Sequence, residues 1–327
     1  MITLMNSEEI KLKDVIVTVV MSAYHEEIKH LRMAVESILK QTYTKFEYII
    51  ILDDPNNNEL KMVLEEYAEL DKRIRFIVND KNRGLTFCRN KAISCANGDY
   101  IAIMDADDIA EPNRLKIETQ YLLDHDECGI VFGNAIIIDE DNNQIRNCNY
   151  MIDDRRINKI ITFTNLIMNP TSMIRKSVYK QIGGYREIHY AEDYDFWLRC
   201  CSEKVVFHHI NEYVLMYRER QDSISHQNAA RSFYITDYVK KLYAERKKNG
   251  NDSFSEKALK KILSPEFNSN CKVIKFNKRV AQYYKSISKI KNGHTFFMFN
   301  LILCVLTEPK LMKKMFQMLI VHILMKV

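Results

Sequence analysis

The sequence predicts an α/β fold: a mixed, mostly parallel sheet with helices on both faces, followed by a helical C-terminal extension. Three observations predict it. Up to Asp105, short β-branched runs alternate with amphipathic stretches of helix length, the pattern of strand–helix–strand units in a parallel sheet. The apolar run Tyr100–Met104 is bounded by turn formers and ends in Asp105, Asp107 and Asp108, which fits a strand covered on both faces. Charge also divides the chain. Residues 228–327 carry 20 Lys+Arg and 6 Asp+Glu, a net +14, which leaves −9 on residues 1–227. An acidic body (1–227) and a basic helical tail (228–327) imply two parts with different partners.

The elements follow in order. Val15–Met21 is a β-branched run of strand length, ending at Ser22-Ala23-Tyr24-His25-Glu26. Ile28, Leu31, Val35, Ile38 and Leu39 then share one helical face. Phe46–Leu52 is the second strand and stops at the turn-rich Asp53-Asp54-Pro55-Asn56. Leu60, Val63, Leu64 and Tyr67 mark the second helix, Ile74–Val78 the third strand, and 85–96 the third helix. Ligands of such sheets bind beyond the carboxyl ends of the strands. Ser22, Asp54, Arg83 and Asp107 all fall in those loops, so topology alone brings them to one edge.

After Asp108 the pattern loosens. Glu111-Pro112 opens a helix, with Pro where a missing N–H costs little. Gly129–Asn134 and Ala135–Ile138 read as two strands, and Asn169–Arg175 as a strand leading into a helix that closes at Gly183-Gly184. Glu192 and Asp193 open a helix whose apolar face is Phe196, Trp197 and Cys200. Carboxylates are comfortable at a helix start, so capping alone would account for them, as would catalysis. Val205–Ile210 and Tyr213–Arg218 read as two further strands. His208 and His209 point to opposite faces of such a strand, which makes them packing or surface residues rather than a chelating pair. The loop Arg218–His226 holds two Arg, two Ser and a His. It is either a grip for phosphate oxygens or a solvated loop.

Several classes are excluded. There is no Gly-x-Gly-x-x-Gly and no Gly-Lys-Ser/Thr, and the chain has only eight Gly, against dinucleotide-binding and P-loop enzymes. The eight Cys include no Cys-x-x-Cys, which predicts reduced thiols rather than a disulfide framework or zinc site. No apolar run reaches the roughly 18 residues of a spanning helix. Met1–Glu9 lacks the basic and apolar regions of a signal peptide, so the expectation is a cytoplasmic protein.

Three carboxylates in four residues repel one another unless a cation sits among them. Hard oxygen ligands suit Mn²⁺ or Mg²⁺, which take one or two Asp plus substrate phosphates. The other reading of the cluster is a solvated acidic loop.

Taken together, the segments resemble a family 2 inverting glycosyltransferase of GT-A fold. The matching stretches are Val19–Tyr24, Ile49–Asp54, Asn82–Leu85 with Arg89-Asn90, Met104–Asp108, Ile182–Tyr185, Glu192–Arg199 and Tyr217-Arg218. They occur in the family's order over about residues 15–226. The resemblance implies a GT-A catalytic domain over 1–227 and a nucleotide-sugar donor, a UDP-sugar first, lying across the strand ends. Ser22, Tyr24, Glu26 and Asp54 would sit at the base and ribose. Arg83 or Arg89 would support the nucleotide, and Asp105 and Asp107 match the Asp-x-Asp motif. Asp107 and Asp108 would hold the metal, Asp193 matches the catalytic base with Glu192 beside it, and Arg218 and Ser225 match a loop that closes over the diphosphate. The family's usual Asp-Asp-Gly-Ser reads Asp53-Asp54-Pro55-Asn56 here. Proline fixes φ and cannot take the positive values open to glycine, so the loop under the base should differ.

The implied activity is metal-dependent, hexosyltransferase-type transfer to a polysaccharide or lipid-linked acceptor, in biosynthesis of a surface polysaccharide such as capsule or lipopolysaccharide. A nucleotidyltransferase is the rival enzyme class; it should carry a glycine-rich, basic loop after its first strand, and Ser22–Glu26 is not one. A sugar-binding scaffold is the third class, and the retained carboxylates count against it. The tail combines Lys-rich stretches with the apolar runs 295–306 and 311–325. Such helices lie on an anionic membrane surface, here the inner face of the cell membrane, or bundle against the body or a second copy as a homodimer. No nucleic-acid fold is present.

Overall fold

The computed structural model describes residues 15–150, 152–219, 229–264, 271–291 and 297–326. The chain divides into two compact units. The first takes the described residues up to Asn158, then Leu166–Arg186 and the stretch from Arg199 to the end of the last strand. The second takes Lys159–Asn165, Glu187–Leu198 and the C-terminal helices. Two short stretches from before residue 227 therefore group with the tail.

In the first unit, β1 (Val17–Ala23), α1 (Ile28–Leu39), β2 (Phe46–Leu52), α2 (Asn58–Leu70), β3 (Ile74–Val78), α3 (Leu85–Cys95) and β4 (Tyr100–Asp105) alternate as the sequence predicts. The strands lie in the order β3, β2, β1, β4, all parallel. β1 is buried along its length between β2 and β4, which is why it reads as an unbroken β-branched run. Next come β5 (Ile109–Ala110), α4 (Arg114–Asp124), β6 (Cys128–Ile138), β7 (Gln144–Cys148), α5 (Asp154–Ile161), β8 (Ser172–Arg175), α6 (Lys176–Ile182), α7 (Glu192–Ser202) and β9 (Val206–Arg218), of which the end of α5 from Lys159 and the part of α7 up to Leu198 belong to the second unit. The sheet continues from β4 through β8, β6 and β9 to β5, with β7 paired to β6. β8 is antiparallel to both neighbours, whereas β6 and β9 are parallel. The result is the mixed sheet expected, with α5, β5 and β7 as additions.

Two expectations are corrected. The runs 129–134 and 135–138 are one strand, β6, and the runs 205–210 and 213–218 are one strand, β9. Their polar interruptions coincide. Gly133 pairs with Ile210 and Asn134 with Tyr213, so Asn211 and Glu212 bulge out and the ladder resumes. Asn134 Nδ2 donates to Asn211 Oδ1 at 3.3 Å across the bulge. A Cβ on Gly133 would lie 2.6 Å from the Val214 side chain, so the close approach requires glycine. On β9, His209 Nε2 is 2.9 Å from Asn134 Oδ1 in the interior. His208 pairs with Asp154 and stacks on Tyr121 at 3.7 Å. The two imidazoles are packing residues on opposite faces, as their spacing predicts.

The second unit holds α8 (Ala229–Asn249), α9 (Glu256–Leu263), α10 (Cys271–Lys291), α11 (Phe297–Thr307) and α12 (Pro309–Lys326). Phe276, Val280 and Tyr283 of α10 pack with Cys304 and Val305 of α11 and Leu311 of α12. The opposite faces of α11 and α12 remain uncovered among the described residues: Phe299 is 69%, Leu306 70% and Phe316 64% exposed. No described helix is long and apolar enough to cross a membrane.

One buried ion pair supports the edge where β4 ends. Arg114 and Glu118, both inaccessible to solvent, meet at 3.2 Å. Arg114 also donates to the carbonyl of Ile103 at 2.8 Å and of Ser172 at 3.3 Å, tying α4 to β4 and β8. Burial pushes the Glu118 carboxyl from 4.5 up to about 7, against the opposing pull of Arg114. An acid with a raised folded pKa binds its proton more tightly in the fold. Its contribution to stability is therefore full below the unfolded value and is lost as pH rises through the folded one. Glu118→Gln keeps an acceptor for Arg114 and removes this titration. Its melting temperature should vary less than the parent's between about pH 5 and 7.5; an unchanged slope would assign the pH dependence to other groups.

Candidate active site

The first unit gathers its polar groups where β1, β2, β3 and β4 end. Ser22, the penultimate residue of β1, is in register with Asp105, the last of β4. Its hydroxyl is buried with no hydrogen-bond partner among the described residues. A buried unpaired hydroxyl at a strand end calls for a ligand or water to satisfy it. Tyr24 follows as an exposed ring stacked on His25 at 4.0 Å. His25 Nε2 lies 3.1 Å from Asp54 Oδ2. The Glu26 carboxylate turns back to accept the Tyr24 N–H at 2.7 Å, so it fixes the loop that presents Tyr24.

Asp53 and Asp54 have separate tasks. Asp53 is buried and accepts from the backbone N–H groups of Arg83 at 2.9 Å and Gly84 at 2.7 Å, and from Asn79 Nδ2 at 2.6 Å. It fastens the loop after β3 to the end of β2. Gly84 has φ +86°, a conformation glycine adopts at little cost. Asp54 stays at the rim and accepts the Asn56 N–H at 3.0 Å, an Asx turn built around Pro55. Arg83 is half-exposed and paired with Asp80 at 3.1 Å. Arg89 is buried and holds Asp105 at 2.8 Å, with its guanidinium 5.9 Å from the Tyr185 ring centre. The two arginines thus differ: Arg89 neutralises Asp105, and Arg83 sits on the rim.

Arg218, expected to grip the diphosphate, ends β9. Its guanidinium is buried and hydrogen-bonded within the protein. Nε donates to the Asp107 carbonyl at 2.8 Å, Nη1 to the Asp139 carbonyl at 2.8 Å, and Nη2 to Asn142 Oδ1 at 2.8 Å. Its backbone N–H donates to Asp108 Oδ1 at 2.8 Å. It is a clamp between the acidic turn and the turn after β6. Ser225 lies outside the described residues.

Asp108 is also placed differently from the expected metal ligand. Its carboxyl is fully buried, with Oδ2 unpartnered among the described residues. Burial, then the charges of Asp107 and Asp105, push it well above the usual carboxylate range. Its Oδ1 is a structural acceptor for the Arg218 N–H. Asp105 and Asp107 are only half-buried at the edge. No cluster of three or more ligating side chains exists among the described residues. That donor set does not make a preformed cage. It suits a hard divalent cation that brings most of its coordination from waters and a diphosphate, with Asp107 as protein ligand and Asp105 beside it.

Asp193 belongs to the second unit, at the start of α7. Asn165 Nδ2 donates to its Oδ2 at 2.9 Å, and the Tyr194 N–H donates to Oδ1 at 2.6 Å. Glu192 is half-buried beside it. Sequence reasoning missed Asn165, Asn142, Asn79 and Asp53. Only Asp53 had a local signal, as the neighbour of Asp54.

Comparison with known proteins identifies the family and the fold. The profile of Glycosyl transferase family 2 matches residues 18–183. An uncharacterised glycosyltransferase of Methanocaldococcus jannaschii is 37% identical over 204 residues, 62% of this chain and 70% of that protein. The O-antigen biosynthesis glycosyltransferase WbnJ of Escherichia coli is 33% identical over 217 residues, 66% of this chain and 84% of that one. Among solved structures, S. aureus TarS 1-349 in complex with UDP-GlcNAc superposes with a TM-score of 0.57 at 18% identity, over 77% of this chain and 71% of that one. The match to the longer S. aureus TarS structure spans only 43% of it. At that identity the likeness shows the shared GT-A fold.

Proposed function

The chain belongs to glycosyl transferase family 2, and on that premise we propose that it is an inverting glycosyltransferase. It moves a sugar from a nucleotide-diphosphate donor, a UDP-sugar, to a hydroxyl of a polysaccharide or lipid-linked acceptor. The observation that carries this reading is the division of labour among carboxylates. Asp53 and Asp108 are buried supports, while Asp54, Asp105 and Asp107 line a strand edge and Asp193 is held at a helix start by Asn165.

The donor lies across the strand ends, with the base and ribose near Tyr24, Asp54 and the Ser22 hydroxyl and the diphosphate toward Asp105 and Asp107. When bound, Mn²⁺ or Mg²⁺ neutralises the charge that grows on the leaving diphosphate. Asp107 would hold that cation, Arg89 keeps Asp105 in place, and Arg218 fixes the Asp107 backbone. The acceptor oxygen forms its bond to C1 as the C1–phosphate oxygen bond breaks, and the bonding pair leaves with the nucleoside diphosphate. Asp193 takes the hydroxyl proton in the same step. One displacement inverts the anomeric centre.

The tail docks the enzyme at the inner face of the cell membrane. Met312, Met315, Phe316, Leu319 and Ile323 of α12, and Phe299, Ile302 and Leu306 of α11, are exposed within a +14 tail. Exposed apolar patches of this kind mark lipid or protein interfaces, and Lys beside them favours anionic lipid. A lipid-linked acceptor would suit an enzyme docked in this way, and WbnJ, an O-antigen biosynthesis glycosyltransferase, supports a polysaccharide product.

Asp193→Asn preserves shape but cannot take the proton. Transfer should fall by roughly 10²–10⁴-fold with donor affinity kept, read as nucleoside diphosphate released in the presence of acceptor. Turnover near that of the parent would reassign the proton to another group. Docking has its own check. The full chain should float with anionic vesicles at low salt and partly release at high salt, since each Lys near the surface adds about 1 kcal/mol that salt screens. A chain that ignores vesicles and runs as a dimer would make α11 and α12 a subunit interface.

A further inference from the structure

The second unit carries a connection from its outermost helix to Asp193. The link begins at the stretch after α5. Asn165, whose amide holds Asp193 Oδ2 at 2.9 Å, is exposed and has no regular element around it. Two groups fix the backbone just before it. The Tyr194 hydroxyl donates to the Ile161 carbonyl at 2.8 Å, and Lys240 Nζ of α8 donates to the Phe163 carbonyl at 2.7 Å. Lys240 is braced in turn: Nζ donates to Gln317 Oε1 of α12 at 3.0 Å and stands 6.0 Å from the centre of the Tyr194 ring. All of these residues lie in one compact unit.

A lysine held this way is unusual for a tail whose other basic residues mostly face solvent. Burial lowers its ammonium from 10.5 to about 8, so desolvation acts on it and its hydrogen bonds are what offset that cost. On α12 Gln317 is turned inward, while Met315, Phe316, Met318 and Leu319 around it are exposed.

We propose that Lys240 and Gln317 are positioning residues for the catalytic base: they fix the Phe163 carbonyl and thereby the Asn165 amide that orients Asp193. The C-terminal helices are then part of the catalytic apparatus as well as a docking surface. This rests on Asp193 being the base, which Asp193→Asn tests by itself.

The experiment is a double-mutant cycle in the full chain between Lys240→Met and Asn165→Ala, with kcat, donor affinity and melting temperature measured for each. Misplacing a reacting group slightly costs up to about 10²-fold. Lys240→Met should lower kcat roughly tenfold with donor affinity within about twofold, and Lys240→Arg, which keeps a donor, should recover most of the loss. Because both residues act through one amide, the double variant should be no slower than the worse single variant. Gln317→Leu, a milder change, should give a smaller loss of the same kind and covers the case in which Lys240→Met fails to fold. The proposal is overturned if Lys240→Met and Gln317→Leu keep kcat within twofold, if the Lys240 and Asn165 losses multiply, or if Lys240→Arg is as slow as Lys240→Met. Loss with Asp193→Asn but not with Lys240→Met would leave the base in place and remove only its support.

Discussion

The end of β4 gathers more negative charge than a half-buried strand edge tolerates alone. Asp105, Asp107 and Asp108 fall within four residues, and the surrounding structure is arranged around that repulsion. Arg89 from α3 neutralises Asp105. Asp108 is withdrawn into the interior, where burial favours its neutral form and the Arg218 N–H gives it one bond. Arg218 comes from 110 residues later, so β9 must return along β6 to deliver it. The short β5 pairs with β9 just before that point, and the long ladder resumes beyond the bulge at Asn211 and Glu212 with its register shifted. What remains at the edge is Asp107 with its backbone held and its side chain half-buried.

The second unit solves a different problem. Asp193 at a helix start has favourable dipole surroundings, but in the proposed role of general base it also needs a fixed direction. Asn165 supplies it. The Tyr194 hydroxyl and Lys240 hold the chain leading to Asn165. On the reading developed above, α12 has one face toward lipid and one toward Lys240. Docking and support of the base then share a helix, which gives a physical reason for a tail of this composition on a glycosyltransferase.

Much of this was legible in the sequence, and the failures share a cause. Parallel strands buried on both faces leave continuous apolar runs, so β1, β2 and β4 and their carboxyl-end loops could be read directly, whereas the edge strand β3 was read from a short run that is only partly buried. Charged residues that mark the site were visible by type, but their direction was not. Asp53 and Asp54 are neighbours with opposite orientations, and only the fold shows that Asp53 fastens a loop. Arg218 was read as a phosphate ligand because an arginine beside a Ser-rich loop suits that role; its four carbonyl and amide partners come from residues 107, 139, 140 and 142. β6 and β9 were split because a bulge looks like a strand end in one dimension. Lys240 meets a backbone carbonyl and Asn165 a carboxylate 28 residues further on, and neither pairing leaves a trace in residue type.

The most direct test of the account is where a nucleotide and a cation bind. Crystals of the full chain grown with UDP and Mn²⁺ should show an anomalous manganese peak about 2.1 Å from an Asp107 carboxylate oxygen. The diphosphate should lie on the same peak and the uracil near Tyr24 and Asp54. Uridine diphosphate seated elsewhere, or seated at this edge with manganese bound away from Asp105 and Asp107, would contradict it.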